Sequence, residues 1–149
     1  MKILFSFIFL CISASLFGAG SSSDNNKSDV SSDYLKAEKL IKKKNYEKAI
    51  GLLSELLEEQ PDGFTKSDVL NYLGFANRKK QQPNYELAEK YYLEALTLDP
   101  NHVGALEYLG ELYVDVNQVD QAKDLLERLK NAAGENSEEY KELFALINN

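Results

Sequence analysis

Few residues in this chain have the type and spacing that enzyme chemistry requires. Its single histidine, His102, lies in a predicted turn after Pro100, and one histidine makes neither a zinc site nor a catalytic triad. Cys11 is the single cysteine. The sequence contains no HExxH, CxxC, P-loop, GxGxxG or GxSxG motif. These residue types predict a non-catalytic protein that binds no metal and no cofactor.

Carboxylates are the one abundant reactive group. Paired carboxylates can hydrolyse a glycosidic bond, and Glu58-Glu59 and Glu138-Glu139 are adjacent pairs. Both pairs fall on predicted solvent faces of helices, where acidic residues commonly keep a protein soluble. We interpret them as surface, with a carboxylate-dependent enzyme as the alternative.

Composition indicates one soluble domain and limits its partners. The chain has 149 residues, of which 44% are hydrophobic and 28% charged. Its net charge is −7 and its isoelectric point is near 4.8. An acidic balance of this size argues against nucleic acid or an anionic membrane surface as the main partner.

Residues 1–32 differ in composition from the rest. Lys2 precedes an apolar run over residues 3–17, which is shorter than the roughly 20 residues that span a bilayer. We predict a signal peptide over residues 1–20, cleaved after Gly20, and an exported protein, periplasmic or secreted, with no membrane span in its mature chain. An uncleaved anchor is the alternative. Residues 21–32 are polar, which predicts a flexible linker.

The remaining chain contains internal repeats. Three stretches superpose on one another: NYEKAIGLL from residue 45, NYELAEKYY from residue 84 and QVDQAKDLL from residue 118. Each has an alanine at its fifth place and a large side chain four residues later. A second pattern, centred on Leu73-Gly74 and again on Leu109-Gly110, precedes the later two copies. Helical spacing of the apolar residues predicts pairs of helices, in which a small residue admits a large one from the neighbouring helix.

This pattern resembles the tetratricopeptide repeat (TPR), whose units of about 34 residues combine a Leu-Gly centre, a small residue, aromatics and a closing proline. The resemblance implies an all-α fold, namely a helical-hairpin solenoid of three TPR units over residues 33–135. The expected units cover residues 33–66, 67–102 and 103–135. The tail sequence EEYKEL is also similar to that of small exported bacterial TPR proteins.

Residues 136–149 are predicted as a capping helix that covers the open end of the third unit. Asn136 and Glu139 have the spacing of a capping box at its start. Its expected apolar face consists of Tyr140, Leu143, Phe144 and Ile147.

The resemblance also implies where a partner would bind. In TPR stacks the first helix of each pair lines a concave groove, and positions spaced i, i+4 and i+7 point into it. The predicted groove residues of this chain are Tyr34, Asn71, Phe75, Arg78, Glu107 and Glu111. They suit an extended segment of mixed charge from a protein or peptide partner.

One known binding mode of the family is not expected in this chain. The carboxylate clamp grips a chaperone C-terminus with Lys, Asn and Arg, whereas the matching places hold Tyr34, Glu38, Tyr72, Gly104 and Tyr108.

We predict a protein-interaction module of the bacterial envelope. The alternative is a self-associating structural subunit of an envelope complex, in which the capping helix or the groove packs against another copy.

Overall fold

The computed structural model describes residues 23–59 and 66–149, with side chains from residue 32 onward. Within these residues the regular structure is entirely helical, which confirms the all-α prediction. The seven helices are α1 (Ser23–Lys42), α2 (Tyr46–Glu59), α3 (Lys66–Lys79), α4 (Tyr85–Leu98), α5 (Val103–Asp115), α6 (Val119–Ala133) and α7 (Glu138–Asn148). Helices that follow one another in sequence pack together from α1 to α6, and α7 packs on both α5 and α6. This is the succession of helical hairpins expected of a solenoid.

Helix α1 begins inside the segment for which the sequence predicts a flexible linker. Its backbone is helical from Ser23, and Tyr34 and Ala37 anchor its second half in a core shared with α2 and α3. Once a helix is held in this way, each further residue that becomes ordered adds one backbone hydrogen bond. The polar residues before Tyr34 can therefore continue the helix. The linker prediction is therefore corrected for residues 23–32. The predicted signal peptide lies outside the described residues.

The small-and-large alternation of the repeats is the packing rule of the core, as predicted. Ala88 and Ala95 of α4 are fully buried. Between them Tyr92 lies against Gly74 of α3, where a Cβ atom built on the glycine would stand 2.6 Å from Tyr92 Cε1. Only a residue without a side chain lets the two helices approach this closely. The buried residues form two clusters, one mainly among α1 to α3 and the other mainly among α4 to α7. Leu57 and Tyr91 pack against both clusters, so the apolar interior is continuous along the helices.

Substituting Gly74 by alanine tests this packing rule. Gly74→Ala is expected to lower the free energy of unfolding by about 1–2 kcal/mol, because the roughly 1–3 kcal/mol cost of overpacking exceeds the gain in helix propensity. The matched control is Gly51→Ala on α2, where a Cβ atom meets nothing within 4 Å. This control should raise stability by about 0.5–1 kcal/mol. Equal stabilities of the two variants in urea denaturation would contradict the close approach of α3 and α4.

The capping helix is present, with two differences from the sequence prediction. Its N-cap is Ser137, whose Oγ accepts from the Tyr140 amide at 3.1 Å, rather than Asn136. Leu143 is fully buried against Gly110, whereas Phe144 is 48% exposed and stacks on Tyr140. Phe144 lies about 100° around the helix from Leu143, so it falls at the margin of the packed face.

Candidate interaction face

The odd-numbered helices meet along one side of the molecule, which we call the odd-helix face. The rings of Tyr34 on α1 and Tyr72 on α3 have centroids 5.7 Å apart. Phe75 on α3 and Tyr108 on α5 are closer, at 4.9 Å. Carboxylates of α5 and α7 approach one another at the end of this row. The predicted groove residues all lie on these helices, and the structure brings Arg78 and Glu111 into contact. Their binding role stays a prediction.

Their burial differs from that of an open binding site. Tyr34, Asn71, Arg78 and Glu107 are buried, and Phe75 and Glu111 are half-buried. Most of these side chains therefore already contact one another or neighbouring helices in the absence of a partner. They separate into a charged cluster, an aromatic cluster and one isolated amide.

Arg78 is the centre of the charged cluster. Its Nη1 lies 2.6 Å from Glu111 Oε2, and its Nε donates to Asp115 Oδ2 at 2.8 Å. Nη1 also donates to the Tyr108 carbonyl oxygen at 3.4 Å. Burial alone would lower the pKa of Arg78, but hydrogen bonding to Asp115 and the charge of Glu111 raise it overall. The guanidinium is thus already paired inside the protein, which corrects the expectation that a partner would meet it.

Three carboxyl groups converge beyond Arg78. Oxygens of Glu107, Glu111 and Glu142 lie within 4.8 Å of one another, and Glu107 is only 4% exposed. Burial, followed by the charges of Glu111 and Glu142 and a hydrogen bond with Glu142, raises the pKa of Glu107 to about 8. Glu107 is therefore protonated at neutral pH. Glu142 lies on the capping helix, outside the three repeats, and the repeat pattern did not predict its place in this cluster.

This cluster does not have the character of a metal site. Arg78 neutralises Glu111, and the proton that Glu107 holds at neutral pH reduces the charge of the cluster. A divalent cation would have to displace both. The chemistry of the arrangement is that of hydrogen-bond and cation acceptance.

The aromatic cluster lies beside the charged one. Phe75 contacts Tyr108, and Tyr46 of α2 approaches it with ring centroids 6.2 Å apart. Lys79 Nζ stands 5.9 Å from the centroid of the Phe75 ring, within the range of a cation–π interaction. Phe75 remains half-buried, so part of its ring is available to a partner. Tyr46 and Tyr108 were not among the predicted groove residues, although their aromatic character was visible in the sequence.

Asn71 is the isolated amide. Its side chain packs directly against Gly104. A Cβ atom built on this glycine would stand only 2.9 Å from Asn71 Nδ2. Among the described residues its Oδ1 has no hydrogen-bond partner, although the side chain is buried. A buried carbonyl oxygen without a donor is costly and rare in folded proteins. Asn71 Oδ1 is therefore a buried acceptor that lacks a donor among the described residues.

His102 has a structural place, as its position in the turn predicts. Its Nδ1 accepts from the Ala105 amide at 3.1 Å and so caps the start of α5. Its Nε2 lies 3.1 Å from Asp68 Oδ1 on α3, and in this tautomer Nε2 donates. The histidine joins two repeats and leaves no nitrogen for other chemistry.

The family model for the tetratricopeptide repeat matches residues 81–147. Residues 81–147 of this chain therefore carry the tetratricopeptide repeat pattern. The first TPR domain of Spaghetti (RPAP3), solved with the HSP90 peptide SRMEEVD, superposes with a TM-score of 0.68 at 18% identity, covering 82% of this chain and 95% of that one. The Sgt2 TPR domain from Aspergillus fumigatus gives a TM-score of 0.69 at 22% identity, covering 80% and 77%. At such identities the TPR structures establish the fold.

Among curated proteins, photosystem I assembly protein Ycf3 of Acaryochloris marina is 36% identical over 88 residues, 53% of this chain and 51% of the relative. The chain spans about half the length of the curated relatives it matches. In the part of the chain that the structure describes, no TPR helix has the length and apolar character of a membrane span.

Proposed function

We propose that this TPR protein is a non-catalytic adaptor that binds a segment of a partner protein on its odd-helix face. The fold supports this proposal, because a superposable TPR domain was solved with a bound peptide. The name of the cyanobacterial relative, an assembly protein, agrees with a role in bringing proteins together. Because packing between the repeats holds the face in a fixed conformation, binding of a partner costs this protein little conformational entropy.

The observation that carries the proposal is a shortage of hydrogen-bond donors on this face. Asn71 Oδ1 has no donor among the described residues, and Glu107 has carboxyl groups as its main charged neighbours. Arg78, the nearest guanidinium, is committed to Glu111 and Asp115. A partner that supplies donors would satisfy these groups, so we propose a segment with a lysine or arginine side chain.

The aromatic cluster adds an apolar requirement. The exposed part of Phe75 stands beside the acidic cluster, so the cationic residue of the partner is expected next to an apolar or aromatic one. An acidic peptide such as the one bound by Spaghetti would place carboxylates against Glu111 and Glu142. Like charges at this separation repel, so we propose that this chain discriminates against such peptides.

Selection from a displayed library of random short peptides tests the proposal. The full chain is expected to enrich peptides that pair lysine or arginine with an apolar residue. The variant Glu139→Gln/Glu142→Gln should lose this preference, because both residues border the acidic cluster. The matched control Glu55→Gln/Glu86→Gln removes the same charge from exposed sites on α2 and α4 and should keep the preference. Enrichment of acidic peptides, or equal enrichment by all three proteins, would contradict the proposed partner chemistry.

We also propose that the protein works outside the cytoplasm, in the periplasm or as a secreted protein of a bacterium. Support comes from residues 1–20, where one lysine precedes an apolar run and small residues follow it. Mass spectrometry of the chain recovered after expression in a bacterium is expected to find Ser21 at the N-terminus. Recovery from the cytoplasm with residues 1–20 intact would contradict export.

A further inference from the structure

We propose that the outward side of α1 binds an anionic lipid surface. Tyr34 and Ala37 mark the packed side of this helix. Apart from Ser32 and Leu35, the exposed residues on the opposite side of this helix and at its C-terminal end are lysines. This lysine face consists of Leu35, Lys36, Lys39, Lys42 and Lys43.

The spacing makes these side chains one continuous stripe. Leu35, Lys39 and Lys42 are spaced i, i+4 and i+7, and Lys36 and Lys43 run parallel to them at i and i+7. The acidic residues of this half of α1 lie elsewhere. Glu38 accepts a hydrogen bond from Tyr72 at 3.0 Å on the odd-helix face, and Asp33 pairs with Lys36 at the start of the stripe.

The lysine face is distinct from the average charge of the protein. The chain carries −7 overall, but its converging carboxyl groups lie on α5 and α7, whereas α1 packs at the other end of the succession of helices. Electrostatic effects in physiological salt fade over about 8 Å. A surface placed against α1 therefore meets the lysines and is screened from the carboxyl groups of α5 and α7, whereas the exposed carboxylates of the adjacent α2 lie nearer.

Two features favour lipid over an acidic protein as the occupant. Lysines on one side of a helix bind anionic headgroups through charge alone and need little apolar surface, and Leu35 is the one large apolar side chain here, 49% exposed. Residues 3–17 are apolar, and residues 18–22 are all that separate them from α1. Five residues reach at most roughly 17 Å. A bilayer that takes up the apolar run would therefore lie within reach of the start of α1.

Tryptophan fluorescence tests this placement with little background, since the chain has no tryptophan. The probe is the full-length variant Leu35→Trp, mixed with brominated vesicles of phosphatidylcholine alone or with phosphatidylglycerol added. Quenching and a blue shift are expected with the anionic vesicles and not with the neutral ones. Leu98→Trp, on α4 and equally exposed to solvent at 55%, serves as the control and should remain unquenched.

Charge substitutions complete the test. Lys39→Gln/Lys43→Gln in the Leu35→Trp background should abolish the quenching, because about fivefold in affinity is lost for each lysine near the surface. Lys90→Gln/Lys123→Gln changes the net charge equally at exposed sites on α4 and α6 and should leave it unchanged. Absence of quenching by anionic vesicles overturns the proposal and leaves an acidic protein as the occupant to examine. Quenching that is equal in neutral vesicles, or that survives loss of Lys39 and Lys43, overturns it as well.

Discussion

Replacing Arg78 by alanine is expected to lower the free energy of unfolding by about 3–5 kcal/mol, the range found when one partner of a buried ion pair is removed. The guanidinium is 4% exposed and holds Glu111 at 2.6 Å and Asp115 at 2.8 Å. Without it, Glu111 is left beside Glu107 and Glu142 with no buried cation. Urea denaturation monitored by circular dichroism measures the loss.

Two further variants separate the ion pair from simple truncation. Lys79→Ala removes a neighbouring, exposed cation that lies 3.9 Å from the same Glu111 oxygen, and it should cost less than about 1 kcal/mol. The double variant Arg78→Met/Glu111→Gln removes both charges of the ion pair. Most of the stability lost in Arg78→Ala should therefore return. A cost for Arg78→Ala no larger than that for Lys79→Ala would show that the buried pairing is energetically unimportant.

Because Arg78 stabilises the fold, its substitution is a poor test of binding to the odd-helix face. From the sequence, Arg78 is a groove residue that a partner would meet, and its removal would be a natural test of binding. In the structure the same side chain joins α3 to α5. Loss of binding in an Arg78 variant would therefore report damage to the solenoid, whereas the exposed Glu142 and the half-buried Glu139 and Phe75 probe the face more directly.

The architecture could be predicted from the sequence because it depends on local, repeated constraints. An alanine or glycine at a fixed place and a large residue on the neighbouring helix appear in each unit, and Gly74 against Tyr92 has the geometry that this pattern requires. The side of each helix that faces its neighbours follows from the same spacing. That is why every predicted groove residue is found on α1, α3 or α5.

Partners across the repeats could not be predicted in the same way. Spacing indicates which face Arg78 occupies, but its contact with Asp115 joins residues 37 positions apart and depends on how two helices are rotated against each other. The raised pKa of Glu107 depends partly on Glu142, which lies on a helix outside the repeat pattern. At the start of α7 Asn136 and Ser137 are both good N-caps, and composition does not choose between neighbouring candidates.

The stability of this protein is expected to fall as the pH rises from about 4.5 to about 8. Glu107 has its ordinary pKa near 4.5 in the unfolded chain, but burial and the neighbouring carboxylates raise it to about 8 in the folded one. Between these values the folded state holds a proton that the unfolded state has released, so each increase in pH favours unfolding. Below the window both states are protonated, and above it both are ionised. One proton limits the slope to about 1.4 kcal/mol per pH unit.

Glu107→Gln isolates this contribution, since the amide stays neutral and still forms hydrogen bonds. The free energy of unfolding, measured with urea at a series of pH values, should lose this slope in the variant, which becomes more stable than the wild type at pH 8 and above. Glu58→Gln, an exposed site on α2, should follow the wild-type curve. Parallel curves for Glu107→Gln and the wild type would contradict the raised pKa. Because Glu142 lies on α7, ionisation of Glu107 should loosen α7 first. Amide protection factors in residues 138–148, which correct for the base catalysis of exchange that both proteins share, should fall above pH 8 in the wild type and not in Glu107→Gln.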